Sequence, residues 1–340
     1  MRRPLRVLHL AGSAVSDFYA DLSSLYARDC LEATAAPEYA FYVAYVTPDK
    51  QWRFPDDLSR ACIAAAAPMS VDAAVQHLRD LNIDVVVPQM FCVPGMTTYR
   101  ALFDLLGIPY IGNPPDVMAL GADKVKAKAV VAAAGVRVPQ GELLSPGERP
   151  TLSPPVVVKP ADTDNSLGLS LVRQPEDYDA ALEAAFSHSE RVLVEDYVEL
   201  GREVRCGVIV RNGELVCLPL EEYNVNADKP IRNYDDKISG EGNDLDLVAK
   251  NDALAWLVDP SDPVTQQVWD AAKRCHVALG CRHYSLFDFR VDADGQPWFL
   301  EAGLYCSFAR KSVVSMMAKA AGIELKELFG MMVEQSVATR

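Results

Sequence analysis

The stretch Tyr284–Ser312, Y-S-L-F-D-F-R-V-D-A-D-G-Q-P-W-F-L-E-A-G-L-Y-C-S-F-A-R-K-S, decides how the rest of the chain is read. Tyr284 to Val291 and Trp298 to Ala302 are rich in aromatic and branched residues. Between them Asp294-Gly295 supplies the positive-φ pair of a tight turn, so a β-hairpin follows. With Asp294 and Gly295 as the two turn residues, Asp288 lies directly opposite Glu301. A loop running from Ala293 to Gln296 gives the same register. Two carboxylates facing each other, flanked by Phe287, Phe289 and Leu300, repel and destabilise the pairing. A positive group is expected between them. A divalent cation with oxygen ligands, Mg²⁺ carrying nucleotide phosphates, answers that need. An ordinary hairpin with a wet acidic face would carry its acids at the ends of the apolar runs; here both sit inside.

Length and composition bound the rest. A chain of 340 residues, half of them hydrophobic and 24% charged, can bury two or three packed subdomains. The formal net charge of −14 opposes binding along a nucleic-acid backbone. An anionic ligand must therefore be held by local Lys, Arg and backbone N–H groups. No apolar run reaches the roughly 20 residues that span a bilayer, and the start, M-R-R-P-L-R-V-L-H-L-A-G-S, reads as a first strand and not a signal peptide. The eight cysteines form no C-x-x-C and sit mostly in apolar segments, as reduced thiols of a cytoplasmic protein do. C-H-V-A-L-G-C-R-H, residues 275–283, matches no common zinc spacing and reads as a helix running into a strand.

Strand and helix signals alternate from the start. Strands are expected at Leu5–Leu10, Tyr39–Thr47, Asp84–Pro88 and Ile108–Ile111. Helices are expected from Val15, from the Ser70 cap, and from Thr97 to a stop at Gly107. Such alternation with short links makes a parallel sheet covered on both faces. There is no G-x-G-x-x-G, so a dinucleotide fold is not expected. Pro114-Pro115 marks a seam. After it Asp116 to Ala134 reads as one helical region, in which Lys124 and Lys128 share a face that by itself would be a solvated stripe.

A buried run then ends in Lys159-Pro160 and passes through a small-residue loop with Asn165, Ser166 and Gly168. That is what a phosphate clamp requires: a point charge beside backbone N–H groups that small side chains leave accessible. A plain hairpin with an exposed lysine is the competing reading. Further strands are expected at Ser189–Val198, Val204–Val210 and Glu214–Leu220. Glu221 to Ala255 reads as a long polar lid-like loop. Helices are expected over Val264–Leu279, Ser312–Ala321 and Leu325–Val337.

In their order and spacing these segments resemble the ATP-grasp superfamily, in its D-alanine–D-alanine ligase-like branch. The resemblance implies an α/β ATP-grasp fold with a substrate-binding domain over 1–114, a small central subdomain over 115–194 and a catalytic subdomain over 195–340. A-D-K-V-K-A-K followed by A-A-G-V-R-V-P, residues 122–139, is similar to the family's helix into the ATP region and makes Lys124 a phosphate ligand. V-V-V-K-P supplies the second ATP lysine, Lys159, and the loop with Ser166 and Gly168 a lid over the phosphates. V-E-D-Y-V is similar to the adenine hinge, where Glu195 and the backbone of Asp196 and Val198 would read the base. Glu203 would bind the ribose hydroxyls, and Lys237 of Y-D-D-K the γ-phosphate. Asp288 and Glu301 fall on the Mg²⁺ ligands, the two residues that the register argument paired independently.

Departures fall on the acceptor side. Where D-alanine ligases carry a metal-binding Asn and then a Pro-Gly oxyanion turn, this chain has Gly303 and Cys306-Ser307. Leu286 replaces an arginine two residues before the metal Asp. The acid and histidine that hold the first D-alanine have no counterparts in A-G-S-A-V-S-D or Q-M-F-C-V-P-G-M-T. These segments, with Q-W-R-F-P and L-E-A-G-L-Y-C-S-F, are similar to mycosporine-glycine–amine ligases. That resemblance implies ATP-dependent joining of an amino acid such as serine or threonine to mycosporine-glycine, in a homodimer. A ring ketone would be phosphorylated and displaced by the amine. Ser312, with Arg310 or Lys311, is the candidate holder of a substrate carboxylate at a helix start. A D-alanine–D-alanine or other dipeptide ligase is the second reading, and an inactive nucleotide-binding regulator the third.

Overall fold

The computed structural model describes residues 3–163, 167–199, 201–226, 229–231 and 254–338. Three sheets organise them. The first contains β1 (Leu5–Gly12), β2 (Tyr39–Val46), β3 (Trp52–Arg53) and β4 (Val85–Pro88), in the order β3-β2-β1-β4. β1 pairs in parallel with β2 and β4, while β3 is antiparallel to β2. Successive β1 side chains enter different cores, as the two-residue period of a strand dictates. Val7 packs with Phe329, Met332 and Val333 of the last helix, Leu325–Ala338, whereas Leu8 and Leu10 pack with Leu78 and Phe103. The sheet is thus covered on both faces. Phe329 is fully buried within ring contacts to Tyr39, Phe41 and Phe308, a burial that contributes about 2–3 kcal/mol.

Ile108–Ile111 does not form the expected strand. It makes only a bridge, Val86↔Tyr110, and β3 takes the remaining place in the sheet. The single helix expected over 116–134 is two helices, Pro115–Ala122 and Lys124–Ala133. Asp123 breaks it by leaving helical geometry and capping the second piece, its Oδ1 accepting from the N–H groups of Val125 and Lys126.

The second sheet is antiparallel, in the order β5-β8-β6-β7, from β5 (Gly141–Leu144), β6 (Val156–Pro160), β7 (Ser170–Val172) and β8 (Val192–Asp196). Val156, Val158, Val192 and Val194 pack under the helix Tyr178–Phe186 through Ala181, Leu182 and Ala185. The alternate residues, Val157, Lys159 and Glu195, face the other way.

The third sheet holds β9 (Arg202–Arg211), β10 (Glu214–Cys217), β11 (Glu221–Tyr223), β12 (Ala255–Leu257), β13 (Tyr284–Val291) and β14 (Pro297–Ala302). Its order is β12-β11-β9-β13-β14, with β10 paired to β9. Two strands, β11 and β12, therefore flank the segment expected to be a loop. Val204, Cys206, Phe287, Phe289 and Phe299 pack against the helix Pro263–Ala278. Along the opposite face of β13 the character changes abruptly, from Tyr284 and Leu286 in the core shared with the last helix to Asp288 and Arg290.

Candidate active site

The charged face of the third sheet and the lysine-bearing face of the second line one cleft. Val157, Lys159 and Glu195 come from one wall, Glu203, Asp288, Arg290, Leu300 and Glu301 from the other, and Lys124 and Thr163 from the side. Six expected site residues are thereby brought together: Lys124, Lys159, Glu195, Glu203, Asp288 and Glu301.

Lys124 opens its helix, its Nζ donating to the Thr163 carbonyl and its backbone N–H to that of Ala161 at 3.0 Å. Lys128, one turn later, donates to Glu195 Oε2 at 2.6 Å, and Lys159 donates to Glu195 Oε1 at 2.5 Å. The solvated-stripe reading of Lys124 and Lys128 fails, because both are buried. So does the exposed-lysine reading of Lys159. Burial pushes the Lys128 ammonium down to about 8, against the pull of Glu195. Burial alone would raise the Glu195 carboxyl, but Lys128 and Lys159 outweigh it and hold the group below its ordinary value.

Across the cleft the strand period puts Glu203 and Arg205 of β9 beside Arg290 and Asp288 of β13. Their pairings are Arg290↔Glu203 and Asp288↔Arg205. Arg205 grips Asp288 with a fork, Nε to Oδ1 at 2.5 Å and Nη2 to Oδ2 at 2.9 Å. Burial opposes the charge of Arg205, yet Asp288 outweighs it and lifts the guanidinium well above its ordinary value. Arg290 Nη2 donates to Glu203 Oε2 at 3.0 Å and to the Pro230 carbonyl at 2.8 Å. Its Nη1 is buried and has no hydrogen-bond partner among the described residues.

Asp288 does lie opposite Glu301, but not by the route expected. At the turn the hairpin is one residue out of that register, pairing Val291↔Pro297 and Phe289↔Phe299. Asp292 sets this longer loop: its Oδ1 accepts from the N–H groups of Asp294 and Gln296, and Gly295 sits at φ 77°. A bulge between Asp288 and Phe289 then restores Asp288↔Glu301. An uninterrupted ladder from Phe289↔Phe299 would put Glu301 on the same face as Phe299, inside the apolar core. The extra residue, Leu300, instead brings both Leu300 and Glu301 to the cleft.

A positive group does lie beside Asp288, the Arg205 guanidinium. Among the described residues no three His, Cys, Asp or Glu side chains converge as a metal cage. Two carboxylates on one face beside two lysines nevertheless suit Mg²⁺, which commonly takes one or two protein carboxylates and fills its other positions with phosphate oxygens and water.

Ser166 and Lys237 lie outside the described residues. Gly168 adopts φ 69°, where a side chain would be strained and its Cβ would come within 2.9 Å of His188. Asp196 and Val198 line a separate depression with Pro139 and Trp298, and the Asp196 N–H already donates to the Gln140 carbonyl at 2.8 Å. Arg310 and Ser312 are not brought to the cleft. Arg310 is ion-paired to Asp29 at 2.6 Å and Glu32 at 3.1 Å, and Ser312 Oγ bonds Ser315 Oγ at 2.7 Å. Lys128, Arg205 and Arg290 were missed by sequence reasoning. The signal was available for two of them: Glu203/Arg205 and Asp288/Arg290 are opposite charges alternating with apolar residues on adjacent strands.

A second cavity adjoins the first through Lys124, Thr163 and Glu301, and its other walls include Tyr19, Phe91, Met96, Met118, Leu304 and Tyr305. The Phe91 and Tyr305 rings lie 5.2 Å apart.

Residues 139–334 match the family described as D-ala D-ala ligase C-terminus. The chain belongs to the D-alanine–D-alanine ligase family. One relative, the D-alanine–D-alanine ligase of Citrifermentans bemidjiense, is 31% identical over 233 residues, which are 67% of this chain and 70% of the relative. The fold is shared with the VanG D-Ala:D-Ser ligase from Enterococcus faecalis, at TM-score 0.79 and 21% identity over 98% of this chain and 99% of that one. It is shared also with the D-alanine–D-alanine ligase from Bacillus anthracis complexed with ATP, at TM-score 0.73 and 20% identity over 98% of each chain. The α/β architecture is that of the ATP-grasp ligases in this family, and the chain is an ATP-dependent ligase. No helix among the described residues is long and apolar enough to cross a membrane.

Proposed function

We propose that this family member is an ADP-forming C–N ligase that works in two steps. An oxygen of one small substrate takes the γ-phosphoryl group of ATP and ADP forms. The amine of a second substrate then attacks the carbon bearing that oxygen, and phosphate leaves. The observation that supports this most is the cleft itself, where Lys124 and Lys159 share the walls with Asp288 and Glu301. Lys124 and Lys159 hold the phosphates as point charges in a largely dry site. Glu195, kept ionised by Lys128 and Lys159, and Glu203 orient the adenosine portion. Asp288 and Glu301 would hold Mg²⁺, which when bound offsets charge on the transferring phosphoryl group. Lys237 serves the γ-phosphate in the same reading.

The relatives favour D-alanine as both substrates, joined through an acyl phosphate. A second reading, ligation of serine or threonine to mycosporine-glycine, is favoured by specific residues. Leu286 is buried where an oxyanion arginine is expected, and Gly303 has no side chain to offer a metal. The adjoining cavity presents rings and thioethers, walls better matched to a flat conjugated ring than to a small zwitterion. In that reading the ring ketone is phosphorylated and leaves an imine, so no acyl oxyanion needs a guanidinium.

Incubating the protein with ATP, Mg²⁺ and either D-alanine alone or mycosporine-glycine with serine or threonine separates the two by product mass. D-alanyl-D-alanine supports the first reading. An imine absorbing at longer wavelength than the ketone supports the second. No ADP with either set contradicts both.

A further inference from the structure

A side-chain amide ties the two halves of the second cavity together. Gln89 follows β4 at the end of the parallel sheet and is fully buried. Its backbone is pinned first: the N–H donates to the Leu10 carbonyl at 2.8 Å, and the carbonyl accepts from Ser23 Oγ at 2.8 Å. Its Nε2 crosses to the loop after β14 and donates to the Ser307 carbonyl at 2.8 Å, 218 residues away in the chain. That bond fixes which way round the amide sits, so Oε1 faces His9 and accepts from its Nδ1 at 3.1 Å. Burial pushes the His9 ring down to about 4, which keeps it neutral, and the buried Cys30 thiol lies against the same amide.

The peptide that Gln89 holds is a demanding one. Phe308 follows it at φ 53°, a left-handed conformation that a bulky residue rarely adopts. The Phe308 ring is kept in the core by Tyr284 and Phe329, at 5.9 and 5.6 Å. Asn113 anchors the start of this loop, Nδ2 donating to the Leu304 carbonyl at 2.8 Å, and Asp29 anchors its end by accepting from the Arg310 N–H. Within the loop Ser307 Oγ accepts from the Ala309 N–H at 3.4 Å. Gln89 takes the middle, where without it the Ser307–Phe308 peptide is free to turn over and relieve Phe308. The cost of that strain and the cost of an unmade buried hydrogen bond are of the same order, so the amide is enough to decide the conformation. Two residues from each end of the Gln89–Ser307 bond, Phe91 and Tyr305 meet at 5.2 Å in the cavity wall.

We propose that Gln89 is a positioning residue for the substrate that takes the phosphoryl group: by holding the Ser307–Phe308 peptide it sets the Phe91–Tyr305 wall of the second cavity, across the seam between the first and third sheets. This rests on the reading of that cavity as the place of that substrate.

The test combines steady-state ADP release, calorimetric titration with the non-hydrolysable analogue AMP-PNP, and hydrogen–deuterium exchange. Gln89→Met keeps the length of the side chain and removes both of its hydrogen bonds. It should raise the KM for D-alanine or mycosporine-glycine, whichever wild-type protein turns over, by about tenfold or more, with kcat and AMP-PNP affinity within about threefold of wild type. Exchange should quicken over residues 305–309 and stay unchanged in β1 and β4. Gln89→Leu, which guards against misfolding of the first variant, should do the same. A purely structural amide would lower thermal stability and quicken exchange in β1 and β4 while leaving that KM unchanged, and this result overturns the proposal while the ligase reading stands. Absence of ADP from wild-type protein with either substrate set overturns both.

Discussion

Asp288 and Glu301 face one cleft because the β13–β14 ladder slips by one residue just before it reaches them. The slip separates Glu301 from the face of Phe299, and it makes the two acids unequal. Asp288 is clamped by Arg205, with only 7% of the residue exposed, so losing its charge strands a guanidinium. Asp288→Asn and Glu301→Gln should both lower kcat about a hundredfold or more, as loss of a fixed electrostatic stabiliser does. Asp288→Asn should also cost stability, about 1–3 kcal/mol. Denaturant titration of Asp288→Asn beside a kcat measurement of both variants checks this, and unchanged stability in Asp288→Asn would remove the clamp from the account.

Lys159 and Lys124 are expected to act on phosphates. Lys159→Met leaves Glu195 paired with Lys128 and should therefore fold, while weakening AMP-PNP by about ten- to a hundredfold, the worth of one charged hydrogen bond. Calorimetric titration reads the change; unaltered affinity would take Lys159 out of the phosphate site.

Glu195 ties two buried ammonium groups together. Glu195→Ala leaves them facing each other and should cost about 3–5 kcal/mol. The sign of the pH effect follows from its lowered folded-state value. Stability from this carboxylate is fully present above its unfolded value of 4.5 and is lost as pH falls through the lower folded value. Acid unfolding followed by circular dichroism should show that component in wild type and not in Glu195→Gln.

Lys128 titrates the other way. With its folded value pushed down to about 8, the Lys128–Glu195–Lys159 cluster loses one positive charge as pH rises through that point. AMP-PNP affinity should fall across the same interval, and Lys128→Met should abolish the step. Stability should behave oppositely, rising with pH between about 8 and the ordinary 10.5, where the unfolded chain binds the extra proton.

Much of this site was legible in the chain because its signals are local. Apolar and branched runs mark β1, β6 and β13, and acids within apolar runs at 288 and 301 announce a special face. The bulge was not legible, since it depends on where the Asp292 side chain closes the turn. The hairpin register assumed from Asp294-Gly295 was wrong at the turn and agreed at Glu301 only because Leu300 made up the difference. Lys128 looked solvent-exposed because its partner, Glu195, is 67 residues away in sequence. Arg205 escaped notice because it is 83 residues from Asp288, and pairing across non-consecutive strands has no sequence period. Arg310 drew attention by its place at a helix start, but Asp29 and Glu32 of the first helix decide where it points.

The account is tested most directly by phosphorus-31 NMR of a complete reaction, with ATP, Mg²⁺, and both D-alanine and mycosporine-glycine with serine offered in separate samples. It predicts ADP and inorganic phosphate in equal amounts with C–N product in one of the samples, and their loss in Glu301→Gln. AMP with pyrophosphate, or ATP untouched in every sample, would contradict it.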